Sequence, residues 1–306
     1  MTRPKSALPY FALVFGVLAL TMSSMFIRWS SAPGPVTSFY RMGLAAVVLL
    51  PVIALRAGAR RKQQPTGLPA ASARSTTAAG WLLFPLAGGL ITALDHSAWS
   101  LAIDYTRVAN ATLLNNMAPL WVALFAVLVW RERLLGRFWL GLGLTLSGAA
   151  VFLGSDMIFS PEYNGGNLLA LGSSLFYAAY FLITQCGRSR LDALTYVWMV
   201  DLVSALGLLV ICGVLGMPLT GYDTQTYLIF ITAALISQVG GYFAIAYSLG
   251  HLPASIVSPS MVAQPVLTAL LAVPFAGEML SAGQWLGALA VVAGIYLVNI
   301  SRQGTL

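Results

Sequence analysis

The sequence predicts an all-α polytopic membrane protein with ten transmembrane helices arranged as two inverted five-helix repeats. Three observations predict this. Of 306 residues, 58% are hydrophobic and only 8% charged, with a mean hydropathy of +0.83. A soluble domain carries about 25% charged residues, so there are too few charges here to cover a globular surface in water. Ten apolar runs are long enough to cross a hydrocarbon core of ~30 Å, which takes roughly 17–25 residues. They are 10–27, 36–55, 81–103, 108–130, 137–154, 167–186, 195–215, 226–249, 254–273 and 282–300. Residues 84–154 and 230–300 also match at a constant offset of 146 with no gap. Pro119 falls on Pro265, Glu132 on Glu278, Trp139-Leu140-Gly141 on Trp285-Leu286-Gly287, and Gly148 on Gly294. Residues 1–155 are thus expected to form the first repeat and 156–306 the second. Duplicated halves with a substrate site between them near the bilayer midplane are a common build of secondary transporters.

The net charge of +7 is an orientation signal rather than a nucleic-acid footprint. With the N-terminus placed in the cytoplasm, the inner segments hold Arg3, Lys5, Arg56, Arg60, Arg61, Lys62, Arg74, Arg131, Arg133, Arg137, Arg188, Arg190 and Arg302, which is 13 of 16 basic residues. The outer segments hold Arg28 and Arg107, and Arg41 lies inside span two. Basic residues mark the cytoplasmic side, so both termini are expected there. Asp104, Asp156, Glu162, Asp223 and Glu278 fall outside. Five spans per repeat is an odd number, so the second copy enters the bilayer upside down. Glu132 is then at an inner helix end, and Glu278 at an outer one.

Span one follows Arg3 and Lys5 as a signal peptide would. Its apolar run is too long for an h-region of roughly 7–15 residues, and no clear small-x-small cleavage site follows, so a retained span is expected. Met22 and Met25 share one face of it. Span two contains Arg41, and the polar stretch 56–80 after it reads as a loop. Span three carries Asp95, His96 and Trp99, with Asp95 and His96 roughly 12 Å from its outer end at 1.5 Å per residue. Thr92, His96 and Trp99 line one face. The repeat offset places Thr92 on Gln238 and His96 on Tyr242 in span eight, so both copies keep polarity on the equivalent face. A shared central cavity explains that, and so does helix-to-helix hydrogen bonding.

In span four, Asn115 and Asn116 precede Pro119. In span nine, Gln264 precedes Pro265. Proline removes a backbone donor, and a carbonyl freed at membrane depth is tolerated only beside protein or cavity water. These amides either satisfy it or line the site. Gly141, Gly143 and Gly148 in span five, with Gly283, Gly287 and Gly294 in span ten, allow close backbone approach and predict a structural seam. Tyr177 and Tyr180 share a face of span six. Stripes like these, and that of Met22 and Met25, more commonly serve helix packing; in a cavity, tyrosine and methionine would suit an aromatic or apolar amino-acid side chain. Span seven carries Asp201. Trp29, Trp81, Trp121, Trp130, Trp139 and Trp285 lie mostly near span ends, as an interfacial belt requires. Cys186 and Cys212 are expected most of a membrane apart, too far for a disulfide.

A charged side chain in hydrocarbon costs about 2.5–3.5 kcal/mol on insertion scales, so Arg41, Asp95 and Asp201 each need a reason. Asp95 has three open roles: pairing with Arg41, carrying a coupling proton, or holding a substrate ammonium. The substrate-cavity candidates are Met22, Asp95, His96, Trp99, Asn116, Tyr177, Tyr180, Gln238, Tyr242 and Gln264, and Arg41 with Asp95 form the candidate ion pair or coupling pair. Glu132 and Glu278 are expected to bond backbone or a nearby arginine.

Ala118-Pro119, Glu132 and Trp139-Leu140-Gly141, repeated as Gln264-Pro265, Glu278 and Trp285-Leu286-Gly287, resemble the drug/metabolite transporter superfamily. Within it the chain is most similar to the ten-helix, EamA-like bacterial exporters, including the aromatic amino-acid exporters. The resemblance implies an inner-membrane secondary transporter that exports small metabolites, amino acids among them, by alternating access. It implies a small-molecule substrate and the lipid bilayer as partners, no nucleic acid, no cofactor and no metal; the oligomeric state is left open, a monomer being compatible. No lysine and only Arg41 lies within a span, which argues against a phosphorylated substrate.

Other classes fit the residues less well. Asp95 and Asp201 are separated by roughly 9 Å in depth, too far for the shared proton of an aspartyl dyad. Gly172-Ser173-Ser174 lacks the glycine context of an intramembrane serine protease, so an enzyme is not expected. A channel-like facilitator or a multidrug exporter is the alternative.

Overall fold

The computed structural model describes residues 7–62, 78–106, 108–153, 164–267 and 281–301, and every regular element among them is helical. In chain order these are α1 (Leu8–Trp29), α2 (Gly34–Lys62), α3 (Ala78–Tyr105), α4 (Val108–Asn115), α5 (Ala118–Leu128), α6 (Gly136–Leu153), α7 (Asn164–Arg188), α8 (Ala193–Val214) and α9 (Thr224–Ala233). A π-helical segment (Ala234–Tyr242) leads into α10 (Phe243–Leu249), followed by α11 (Ala254–Met261) and α12 (Ala282–Ser301). Lys5, Arg3, Arg74, Arg107, Asp156, Glu162, Glu278, Arg302 and the outer part of the expected span nine lie outside the described residues.

Among the described residues, seven helices are long and apolar enough to cross a membrane: Leu8–Ile27, Gly34–Arg56, Ala111–Leu128, Asn164–Arg188, Ala193–Val214, Thr224–Leu249 and Ala282–Ser301. The expected spans 81–103 and 137–154 coincide with α3 and α6, which stand outside that set. Span nine begins as a shorter apolar helix, Ala254–Leu267. The outer surface is rich in large apolar side chains, with Phe11 71%, Leu55 75%, Leu128 74% and Val214 80% exposed. A surface this apolar is at odds with water and suits hydrocarbon. Trp29, Trp139 and Trp285 are exposed at helix ends.

Local chemistry sets the helix ends. Asp192 and Asp223 cap α8 and α9, their carboxylates accepting from the backbone N–H of Thr195 at 3.2 Å and Thr226 at 3.1 Å; an N-cap carboxylate satisfies an otherwise unpaired donor. α8 ends at Gly216, whose φ of 64° lets Met217 N–H return to Cys212 C=O at 2.9 Å, a left-handed closure natural to glycine. Cys186 and Cys212 are both free.

Two expected spans are broken where proline stands. Pro119 has no N–H for the Asn115 carbonyl, and the helix interrupts at Asn116-Met117 between α4 and α5. Pro265 likewise has none for Met261, and the helical run from Ala254 interrupts at Val262. Adding the 146 offset to Asn116 gives Val262, so both repeats break at the same position. The π segment inside span eight was not expected; it contains Gly240-Gly241, and a Cβ on Gly241 would sit 2.9 Å from Leu20 Cγ on α1.

α6 and α12 form the tightest helix pair. A Cβ on Gly141 would fall 2.8 Å from the Gly294 carbonyl, and one on Gly287 2.7 Å from the Gly148 carbonyl. The backbones touch because no side chain intervenes, so four of the six expected seam glycines form it. Gly143 faces open space, and Gly283 meets only Ser281 Oγ, at 3.9 Å; both point away from the contact. The main core gathers Val17 of α1, Tyr180 and Phe181 of α7, Tyr196 of α8, Ile245 of α10 and Met261 of α11.

Candidate functional site

Above that core lies a cavity of about 90 Å³. Its walls are Leu20, Ser23 and Ile27 of α1, Arg41 of α2, Asp95, His96 and Trp99 of α3, Thr112 and Asn115 of α4, Asn116 at the break, Tyr177 of α7, Tyr242 of the π segment, and Gln264 and Pro265. Residues spaced three and four apart share a helix face, which is why α1 presents positions 20, 23 and 27 together. The α4–α5 break gives the site Asn116 at a point where the helix no longer closes.

Arg41 is 2% exposed. Its Nη1 donates to Ser23 Oγ at 2.6 Å, and its Nη2 lies 3.0 Å from His96 Nε2. The same Nη2 lies 3.3 Å from His96 Nδ1, and because a guanidinium carries donors only, a ring nitrogen that bonds it must accept. Tyr242 Oη is 3.3 Å from the same Nε2, and its ring centroid lies 5.8 Å from Arg41 Cζ. His96 and Tyr242 are each other's mates under the 146 offset, and they touch in the cavity wall.

Asp95 points to another wall. Its Oδ1 accepts from Asn115 Nδ2 at 3.4 Å, and the same amide donates to Ser173 Oγ at 2.8 Å. The expected direct pair between Arg41 and Asp95 does not form: among the described residues the salt bridge is Arg56–Asp192, at 3.9 Å. The cause is helical rotation. Neighbouring residues project about 100° apart, so His96 meets Arg41 while Asp95 turns toward α4 and α7. The cavity therefore holds a cation and a carboxyl group on separate walls.

Eight of the expected residues line this one cavity: Arg41, Asp95, His96, Trp99, Asn116, Tyr177, Tyr242 and Gln264. Met22, Tyr180 and Gln238 do not. Met22 packs against Phe26, Ile229 and Ala233; the next residue along, Ser23, takes the lining position. Tyr180 is buried in the core with its ring 5.8 Å from that of Tyr242. Gln238 is spent on Asp201, to which it donates at 2.6 Å. Leu20, Ser23, Ile27 and Thr112 line the cavity without having been expected. A small polar residue within an apolar run was the available signal for Ser23; nothing local distinguishes Leu20 or Ile27 from lipid-facing residues.

Away from the lining, Arg188 at the end of α7 donates from Nε to the Ala246 carbonyl at 2.9 Å and from Nη1 to the Leu191 carbonyl. Gln185 Oε1 accepts from Ala254 N–H at the start of α11. Together these bonds tie α7 to α10 and α11.

The sequence model of the EamA-like transporter family matches twice, over residues 7–154 and 164–300. An uncharacterized transporter, YwfM of Bacillus subtilis (strain 168), is 28% identical over 212 residues, 66% of this chain and 68% of the relative. A crystal structure of another protein superposes with a TM-score of 0.77 at 18% identity, covering 97% of this chain and 99% of its own; at that identity the likeness is one of fold.

Proposed function

We propose, from the premise that this chain belongs to the EamA-like transporter family and is a multi-pass membrane transporter, that it exports amino acids, aromatic ones included, across the bacterial inner membrane. The cavity carries this reading. Arg41 supplies donors for a carboxylate, Asp95 supplies a carboxyl group suited to an ammonium, and Trp99 with Tyr177 adds aromatic surface to the same lining. A free amino acid presents those groups together, whereas a neutral or singly charged drug leaves one wall unmatched. Uptake into proteoliposomes tests it: aromatic amino acids should exchange by counterflow, and an amino acid amide, lacking the carboxylate, should compete weakly. Equal competition by the amide, or by hydrophobic cations, would favour a multidrug exporter.

The mechanism is alternating access by two inverted repeats, residues 1–155 and 156–306, with ten spans. The family model matches each half separately. Reciprocal contacts support a two-fold relation: Gly141 meets Gly294 as Gly287 meets Gly148, while His96 meets Tyr242. In a two-fold interface residue i contacts j and j contacts i. The breaks at Asn116 and Val262 repeat the pattern.

The basic residues place both termini in the cytoplasm in this reading. A reporter enzyme fused after Leu306 should be active only if it functions in the cytoplasm, because 13 of 16 basic residues then lie inside. Activity from a reporter that works only in the periplasm would refute the ten-span topology.

A further inference from the structure

Asp201 and Gln238 form a second polar pair, outside the cavity lining. Asp201 on α8 is 0% exposed and Gln238 on the π segment 1%. Gln238 Nε2 donates to Asp201 Oδ1 at 2.6 Å. The remaining oxygens, Asp201 Oδ2 and Gln238 Oε1, have no partner. Two bare acceptors on a single buried pair are costly, and an ionised carboxylate without a paired cation is costlier still. Among the described residues no cation forms a salt bridge with Asp201. A proton on Oδ2 removes every one of these penalties: the acid O–H donates to Gln238 Oε1 while the amide donates to Oδ1, and both partners stay neutral.

The pair is joined to the cavity by one element. Gln238 stands one turn before Tyr242, whose hydroxyl contacts His96. Extended π-helix is rare, and π turns are frequent at functional sites. Moving such a segment would shift Gln238 and Tyr242 together. Around Asp201, α2 presents Arg41, the π segment Tyr242 and α7 Tyr180. α3 presents His96, in contact with Arg41, and Asp95, within electrostatic reach of Arg41. Tyr247 of α10 stacks instead on His251, at 4.5 Å.

We propose that Asp201 is the proton site of this transporter, loaded as the neutral acid against Gln238 in this conformation and discharged when the π segment moves. The proposal rests on the transporter reading above. Discharge breaks the Oδ2–H bond, hands the proton to water and leaves a carboxylate. Arg41, whose Nε–H is unpartnered, is the cation within electrostatic reach. Reloading from water reverses the step.

Infrared spectroscopy and transport on the full chain in lipid test this. At neutral pH the unmutated protein should show a deuterium-sensitive carboxylic-acid carbonyl band. Asp201→Asn should abolish it, Asp95→Asn should keep it, and Gln238→Leu should shift it toward the position of a free acid. Asn at 201 has the shape and both hydrogen bonds of the protonated acid, so its thermal midpoint should match the unmutated protein. In proteoliposomes Asp201→Asn should exchange aromatic amino acids by counterflow yet lose the acceleration that a pH gradient gives the unmutated protein. An absent band, transport of the unmutated protein indifferent to the gradient, or a gradient response that survives in Asp201→Asn each overturn the proposal. Should Asp201→Asn fail to fold, an unshifted band in Gln238→Leu overturns it equally. Failure of the unmutated protein to exchange any amino acid would count against the cavity reading, while the band alone reports the proton on Asp201.

Discussion

Arg41→Met should give a folded protein that transports amino acids about 10- to 100-fold more slowly. Hydrogen bonds to a charged group contribute about 1.5–3 kcal/mol, which corresponds to that range. Among the described residues Arg41 is the only arginine on the cavity wall, so its loss removes the carboxylate's partner. Stability should change little, because replacing a buried charge by an apolar side chain of similar volume is often neutral, and Arg41 has no directly bonded carboxylate to strand. Asp95→Asn should weaken transport by a similar factor through the ammonium. Met22→Ala, outside the lining, should leave substrate affinity unchanged. Initial uptake rates with thermal midpoints measured in detergent decide the matter. An Arg41→Met protein with the unmutated KM would show that the guanidinium only braces His96 and Ser23.

The second large effect is at the α6–α12 crossing. Gly287→Ala places a Cβ 2.7 Å from the Gly148 carbonyl and from Phe152 N. Backbone atoms cannot swing aside as side-chain ends do, so the helices must separate. Overpacking of this kind costs typically 1–3 kcal/mol, and a separated seam loses contacts along its length. Gly143→Ala is the internal control: on the same pair of helices its Cβ meets nothing within 4 Å. It should be neutral or gain up to about 1 kcal/mol from helix propensity. Thermal unfolding of the two variants should therefore move in different directions; equal losses would mean that glycine serves flexibility here and not close approach.

Much of the site was legible before any coordinates. The cost of placing a charge or an imidazole in hydrocarbon singled out Arg41, Asp95 and His96, and the repeat offset tied His96 to Tyr242. Proline marked both helix breaks, and with them Asn116 and Gln264. What failed was assignment by residue type alone. Met22 and Tyr180 suited an aromatic substrate chemically, but they face Phe26 and Phe181. Gln238 was placed on the right face of the repeat, yet a buried acid on a neighbouring helix claimed it. The Arg41–Asp95 pair was inferred from depth, which says nothing about the angle around a helix.

The sequence by itself determined the properties that accumulate along a chain: which stretches are apolar, where proline denies a hydrogen bond, and that one half repeats the other. Each follows from composition or from spacing a few residues apart. The tertiary structure alone decided which neighbour each helix face meets. One residue's step turns a side chain by about 100°, enough to take Asp95 from Arg41 to Asn115 or to exchange Met22 for Ser23 in the cavity wall. That angle is fixed only when the helices pack, by contacts such as those of Gly141 with Gly294 and Gly148 with Gly287, which join positions more than a hundred residues apart.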